Sequence, residues 1–246
     1  MSVISYIKNN PLIGAAAVLG AAFVIAAGIA GYTAYQIKAS ADVVEVTGSA
    51  RVPVTADFGR WPLSLETKTG MTNQQEGYAR LEAASQKIVA YLKEQGFTDI
   101  ETPAPNTYPN FIYPQNAEPV QTGYTVSRVI IVRSSDVAKL ATLANNIEPL
   151  VGRDYNVISN GLELTYQKLP ETRVSLLSDA IKDAKARAEA IAKESNRTVG
   201  ALRSSTGGVV QVLPAGGMDV SDAGTYDTQS VNKEVMVTVR ATFSLQ

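Results

Sequence analysis

From Leu12 to Gly31 the chain reads LIGAAAVLGAAFVIAAGIAG, an apolar run with no charged position and no polar face. As a helix rising about 1.5 Å per residue, it matches the roughly 30 Å of hydrocarbon in a bilayer. Val43 to Thr69 changes period, alternating apolar and polar positions with breaks at Gly48, Pro53 and Gly59. That pattern predicts strands joined by a turn or bulge. Thr72 with Gln75 forms a capping-box pattern, and Tyr78, Leu81, Ser85, Ile88 and Leu92 recur in steps of three and four until Gly96 supplies a stop. An amphipathic helix is predicted there. Between Thr102 and Thr122, Pro103, Pro105, Pro109, Pro114 and Pro119 remove donors that a central strand needs, which predicts an extended, irregular arm. A strand over Tyr124 to Arg133, a short helix over Asp136 to Ile147 and a strand over Val157 to Gln167 follow. Pro170 opens the clearest helix, with Val174, Leu177, Ile181, Ala184, Ala188 and Ile191 as its apolar stripe. Thr198 to Leu213 and Val231 to Leu245 alternate as strands around a Gly- and Asp-rich loop at Pro214 to Ser230. The order predicts an α+β fold, an antiparallel or mixed sheet with two main helices packed on one face, preceded by one transmembrane helix.

The flanks of the apolar run fit a membrane. Lys8 and Lys38 bracket it, and Tyr32 and Tyr35 follow where aromatic rings sit at headgroup level. Ala39-Ser40-Ala41 before Asp42 has the small-x-small pattern of a signal-peptide cleavage site. The run exceeds the roughly 7–15 apolar residues of a cleaved segment, so an uncleaved signal anchor is expected. The chain then reads as an N-terminal tail (1–11), an anchor (12–34), a linker (35–42) and a soluble domain (43–246). Orientation is weakly encoded, with Lys8 and the α-amine on one side against Lys38 and Arg51 on the other. Ala16 with Gly20, Ala17 with Ala21, and Ala27 with Gly31 lie four apart, a spacing that lets anchors pack side by side. Small residues are common in such segments without that role.

Composition narrows the chemistry. The 246 residues carry 22 Lys plus Arg against 23 Asp plus Glu, a net charge of -1, so no field gathers phosphate backbones and nucleic acid is not an expected partner. The absence of Cys excludes disulfides, thiolate metal sites and Cys nucleophiles. The absence of His removes the commonest general base, the commonest transition-metal ligand and the usual partner of a nucleophilic Ser. No enzyme site, cofactor or metal is expected.

Individual candidates read the same way. Asp99 and Glu101, two apart, suggest an acid/base pair, but a solvated turn accounts for them equally. Asp219, Asp222 and Asp227 are oxygen ligands in one loop without the alternating spacing of a calcium loop. Gly207-Gly208 and Gly216-Gly217 lack the Lys-Ser/Thr and the strand-to-helix junction of a phosphate cradle. Lys182, Lys185, Arg187, Glu189 and Lys193 form a mixed-sign face that reads as solvated. Trp61, the lone tryptophan, reads as core. Tyr108, Phe111 and Tyr113 stand out, because aromatics on a donor-poor segment either fill pockets on a neighbouring subunit or fold back over their own domain.

Several stretches carry a family resemblance: VEVTGSARVPVTADFGRWPLSLET, LKEQGFTDIETPAPNTYPNF, GYTVSRVIIVRSSD and DAIKDAKARAEAIAKESNRTVG. Together they cover nearly all of Val43 to Leu245, with Gly96 to Ile100 and the Ala-rich helix running into Gly200 the most diagnostic parts. In these the chain resembles the bacterial SIMPL-domain family. The resemblance implies an exported or envelope-associated protein, linked to stress tolerance, with ring-like or channel-like homo-oligomers among its members and no catalytic residues to carry over. The long anchor departs from secreted members. The expectation is thus a single-pass protein of the bacterial inner membrane whose soluble domain lies in the periplasm and forms a closed homo-oligomer. Its partners would be membrane lipid through the anchor and other copies of itself. The rival expectation is an envelope module that binds a peptide, a lipid or another envelope protein through the arm at 102–122.

Overall fold

The computed structural model describes residues 11–217 and 223–246. Lys8, one flank of the apolar run, lies outside them. Helix α1 (Pro11–Ala41) starts on a proline, whose missing N–H costs nothing at a first helical position. It is unbroken through 35–41, the stretch expected as a linker, so a single residue, Asp42, separates it from β1 (Val43–Thr55). Its window Val18–Tyr35 is long and apolar enough to cross a membrane, and among the described residues none of it is buried.

After β1 the order is β2 (Phe58–Thr69), α2 (Gln74–Glu94), β3 (Asp99–Glu101), β4 (Asn106–Ile112), β5 (Val120–Ser134) and α3 (Val137–Asn145). A short 3-10 turn, Glu148–Leu150, precedes β6 (Asn156–Ser159), β7 (Glu163–Thr165), α4 (Leu169–Glu194), β8 (Val199–Pro214) and β9 (Asn232–Leu245). The fold is α+β with antiparallel pairing, as the alternation implied, but the strands form two sheets. One has the order β1-β9-β8; the other has six strands built on β3-β5-β2-β6, with β4 on β5 and β7 on β2. The part expected as one domain divides into two compact units, one of residues 50–178 and 209–237, the other of 1–49, 179–208 and 238–246.

The first unit is organised by β2 and β5, which pair antiparallel from Gly59 opposite Ser134 to Thr69 opposite Tyr124. Alternation sends Trp61, Leu63 and Leu65 of β2 and Val126, Ile130 and Val132 of β5 to one face. Helix α2 covers them with Leu81, Ala84, Ile88 and Leu92, and α3 adds Leu140. Trp61 is core as expected, and its indole N–H donates to Ser159 Oγ at 2.8 Å. The expected capping box is not made. Asn73 takes the N-cap position of α2 without a side-chain cap bond, because Thr72 Oγ1 is turned to Asn73 Oδ1 and Asn73 Nδ2 to Glu76. The expected stop is made: Gly96 at φ +83° lets Gly96 N–H reach Lys93 O and Phe97 N–H reach Leu92 O, the double bond of a Schellman turn.

In the second unit α4 approaches β1 with almost no side chain between. Ala180, Ala184, Ala188 and Ala192 are buried at four-residue spacing, and a Cβ on Gly48 would overlap Ala180 O and Ala184 N. This corrects the expected stripe on α4. Val174 and Ile191 are exposed, because backbones this close leave room only for Ala, while the larger aliphatics point away. The same helix ends on Asn196 in the left-handed region (φ 54°), with Arg197 N–H on Ala192 O repeating the turn that Gly96 makes in α2. The strand expected over Val157 to Gln167 is two short ones, β6 and β7, split at Gly161, whose φ of +90° interrupts an extended chain.

Candidate functional site

The segment expected as an irregular arm is a β-hairpin. β4 pairs antiparallel with β5, which starts at Val120 rather than Tyr124, from Asn106 opposite Ser127 to Ile112 opposite Val120. The prolines allow this because β4 is an edge strand: Pro109 sits inside it, and a residue without a donor is tolerated where the N–H would face solvent. The pairing shifts between Asn110 and Phe111, leaving Thr122 as the extra residue on β5, where its hydroxyl donates to Asn110 O at 3.3 Å. On the other side of that shift, a Cβ on Gly123 would run into the carbonyl oxygen of Thr69. The hairpin is tied down by Tyr78 Oη and Thr107 Oγ1, 2.5 Å apart, and by Thr125 Oγ1 donating to Asn110 Oδ1 at 2.9 Å.

Tyr108, Phe111 and Tyr113 are 56%, 44% and 77% exposed, with Ile112 and Val120 exposed beside them. They do not fold back over their own domain. Nor do they form one aromatic face, because residues three apart on a strand point to opposite sides, which separates Tyr108 from Phe111.

The other candidates are absorbed by local structure. Asp99 and Glu101 share one partner, Arg133, at 3.5 and 2.5 Å, and that carboxylate contact holds the guanidinium above its ordinary pKa. Asp227 is not a ligand waiting for a cation: its carboxylate and carbonyl take the ammonium of Lys233 at 3.0 and 2.6 Å, and its oxygens also accept the N–H groups of Gln229 and Ser230. Asp219 and Asp222 lie outside the described residues. Among the described residues no acidic cluster could hold a metal. Gly216 (φ +74°) turns the chain after β8, and Gly208 lies within β8 because a Cβ would strike Thr238 Oγ1. Neither is a phosphate cradle. The charged face of α4 is laced by Lys182–Asp179, Arg187–Asp183 and Lys185–Glu189 pairs within the helix. Asp183 also accepts the backbone N–H of Ser49 in β1.

On α1, Ala16, Gly20, Ala27 and Gly31 fall within roughly 60° of one another at 100° per residue, so they form one stripe, exposed in the isolated chain. Lys233, fully buried, was not foreseen, and neither was Arg128, which reaches under α2 to Glu82 at 2.6 Å. Arg128 is the first cause, ahead of Gln86, of Glu82 sitting below the usual carboxylate pKa.

Like α1, much of β8 is bare. Nine consecutive residues, 201–209, are exposed on both faces, and among the described residues no strand lies beyond it in the sheet order. Its inner edge is held by β9, with Ser244 Oγ donating to Ala201 O and Thr198 exchanging backbone bonds with Gln246. Towards its end β8 is covered: Gly224 lies against Val209 and Val210, and Val212 bonds to Thr225 and Asp227. A hollow of about 290 Å³ opens over Gly207 and Gly208, bounded by Thr47, Thr206, Thr238 and Arg240. The strand expected over Thr198 to Leu213 is present, but the alternation expected of it fails over LRSSTGG, which has no buried side.

Residues 44–243 match the family model SIMPL, described as a protein of unknown function (DUF541), and the chain belongs to that family. No curated protein matches the chain.

Proposed function

From SIMPL membership and the unbroken apolar helix that precedes the matched residues, we propose that the chain is a non-enzymatic envelope protein held in the inner membrane by α1, with its soluble part outside the cytoplasm. We propose further that it works as a symmetric homo-oligomer. The observation that carries this reading is the one-residue junction at Asp42. So short a link keeps every copy at the membrane surface, where modest contacts between copies suffice because tethering raises their local concentration. The exposed hairpin at Tyr108, Phe111 and Tyr113 supplies apolar surface for such contacts. It equally suits a peptide or another envelope protein, which is the second reading. The lack of His and Cys supports a role without catalysis.

Mass measurement of the detergent-solubilised full chain tests the assembly. A multiple of the 26.2 kDa chain mass is expected, and a monomer at high micromolar concentration refutes it. A mature protein that starts at Asp42 refutes the anchor, and a reporter fused after Gln246 that is active only in the cytoplasm refutes the orientation.

A further inference from the structure

An uncapped sheet edge is a template for another strand, and proteins blunt such edges with proline, inward charges or a covering segment. β4 is blunted by Pro109, and β1 by Asp183 of α4 on Ser49 N–H. β8 has no proline over 201–209, and among the described residues this run stays exposed: ALRSSTGGV holds one charge, Arg203. We propose that this edge pairs with the same edge of a second copy, antiparallel and centred on Ser205. The inference rests on the homo-oligomer reading and names its contact.

The occupant follows from the register. The exposed run is symmetric about Ser205, so an antiparallel pair centred there uses all of it. Leu202 of one copy then lies opposite Gly208 of the other, and Arg203 opposite Gly207. Leu202 and Arg203 thus each meet a glycine, Val209 meets the small Ala201, and the two arginines are not opposed. Even positions of β8 share a face, shown by the closeness of Gly200 to Ser244 Oγ and of Gly208 to Thr238 Oγ1. Leu202 therefore projects on the side where the hollow over Gly207 and Gly208 opens, and its counterpart on the second copy fills that hollow. A shifted register loses this fit and leaves Leu202 on solvent.

Such a pair is a strip about 30 Å long, less than the roughly 800 Å² per partner of a standard interface, and so depends on the anchors for concentration. A two-fold contact closes on itself, and larger assemblies require a second contact. Both anchors enter one bilayer only if the axis runs along the membrane normal, which lays β8 along the membrane plane.

The cysteine-free sequence makes the test direct. Across an antiparallel pair, Cα atoms lie about 4.5–5.5 Å apart, within disulfide range. Full-length Ser205→Cys in its membrane, mildly oxidised, is expected to become a covalent dimer. Arg203→Cys and Gly207→Cys, each about 14 Å from its own copy in this register, are expected to stay uncrosslinked alone and to join when co-expressed. No Ser205→Cys dimer while the wild-type mass is that of an oligomer overturns the β8 contact and leaves the oligomer standing. A monomeric wild type overturns both. Crosslinking of Arg203→Cys alone overturns the register.

Discussion

Lys233 is the largest charge taken wholly out of water in the described chain, and Asp227 is its only anionic partner. Replacing Asp227 with Ala leaves the ammonium buried without a counter-charge and strips the N–H groups of Gln229 and Ser230 of their acceptor. Breaking one side of a buried pair costs about 3–5 kcal/mol. Against a typical total of about 5–15 kcal/mol, that is a large share of the stability. Lys233→Met keeps the stem's packing and removes the charge, while Asp227 keeps its backbone donors, so it should cost less, about 1–3 kcal/mol. The double variant Asp227→Ala/Lys233→Met should be more stable than Asp227→Ala alone, since an apolar replacement of both partners is often neutral. Trp61, single and buried in the same unit, reports urea unfolding by fluorescence. Burial pushes the Asp227 carboxyl up, but the Gln229 N–H, Lys233 and Ser230 outweigh it and hold the pKa below the ordinary value. Its contribution is therefore full above the unfolded value near 3.9 and lost as pH falls through the lower folded one, so the cost of Asp227→Ala should shrink in acid. An Asp227→Ala loss within about 0.5 kcal/mol, or strictly additive singles, refutes the reasoning.

Gly48→Ala should lower the melting temperature, by a loss of about 1–3 kcal/mol or more, because its Cβ overlaps α4 backbone, whereas Gly70→Ala, with open space around it, should change little. Leu140→Ala, in the core beside Gly59, should cost about 2–5 kcal/mol in urea. Pro109→Val should leave stability nearly unchanged but raise light scattering at high concentration, since it restores an edge donor. Changing Tyr108, Phe111 and Tyr113 together to Ser should reduce the mass of the solubilised oligomer if the hairpin is a contact; an unchanged mass acquits it.

Where local chemistry sufficed, the sequence was readable: Gly96 ended α2, Pro170 opened α4, and the alternation around Trp61 and within 232–245 marked strands with one buried side. It misled where distant backbone decided. The α4 stripe shifted from Val174 and Ile191 onto alanines because β1 passes at Gly48, a closeness that no hydrophobicity ranking encodes. The prolines of 102–122 argued correctly against a central strand and wrongly against any strand, since an edge needs donors on one side only. Lys233 sits in a pattern, NKEVMVTV, that reads as half-solvated until Asp227 is brought to it across a turn. Of the surfaces proposed for assembly, the aromatics were visible by type, while the bare edge of β8 was hidden by the expectation that Thr198 to Leu213 alternates throughout.

The chain's exit lies beside its entrance. Leu245 N–H bonds to Asp42 O, Gln246 and Thr198 bond to each other through both backbone groups, and Arg197 holds the Asp42 carboxylate at 3.0 Å. A protein fused after Gln246 therefore emerges next to the end of α1, and with α1 in a bilayer, as proposed, it needs a spacer to stand clear of the lipid. The same closure makes the soluble part a graft: cut at Asp42 and Gln246, it has two adjacent ends and could be spliced into a surface loop of another host with a linker of only a few residues.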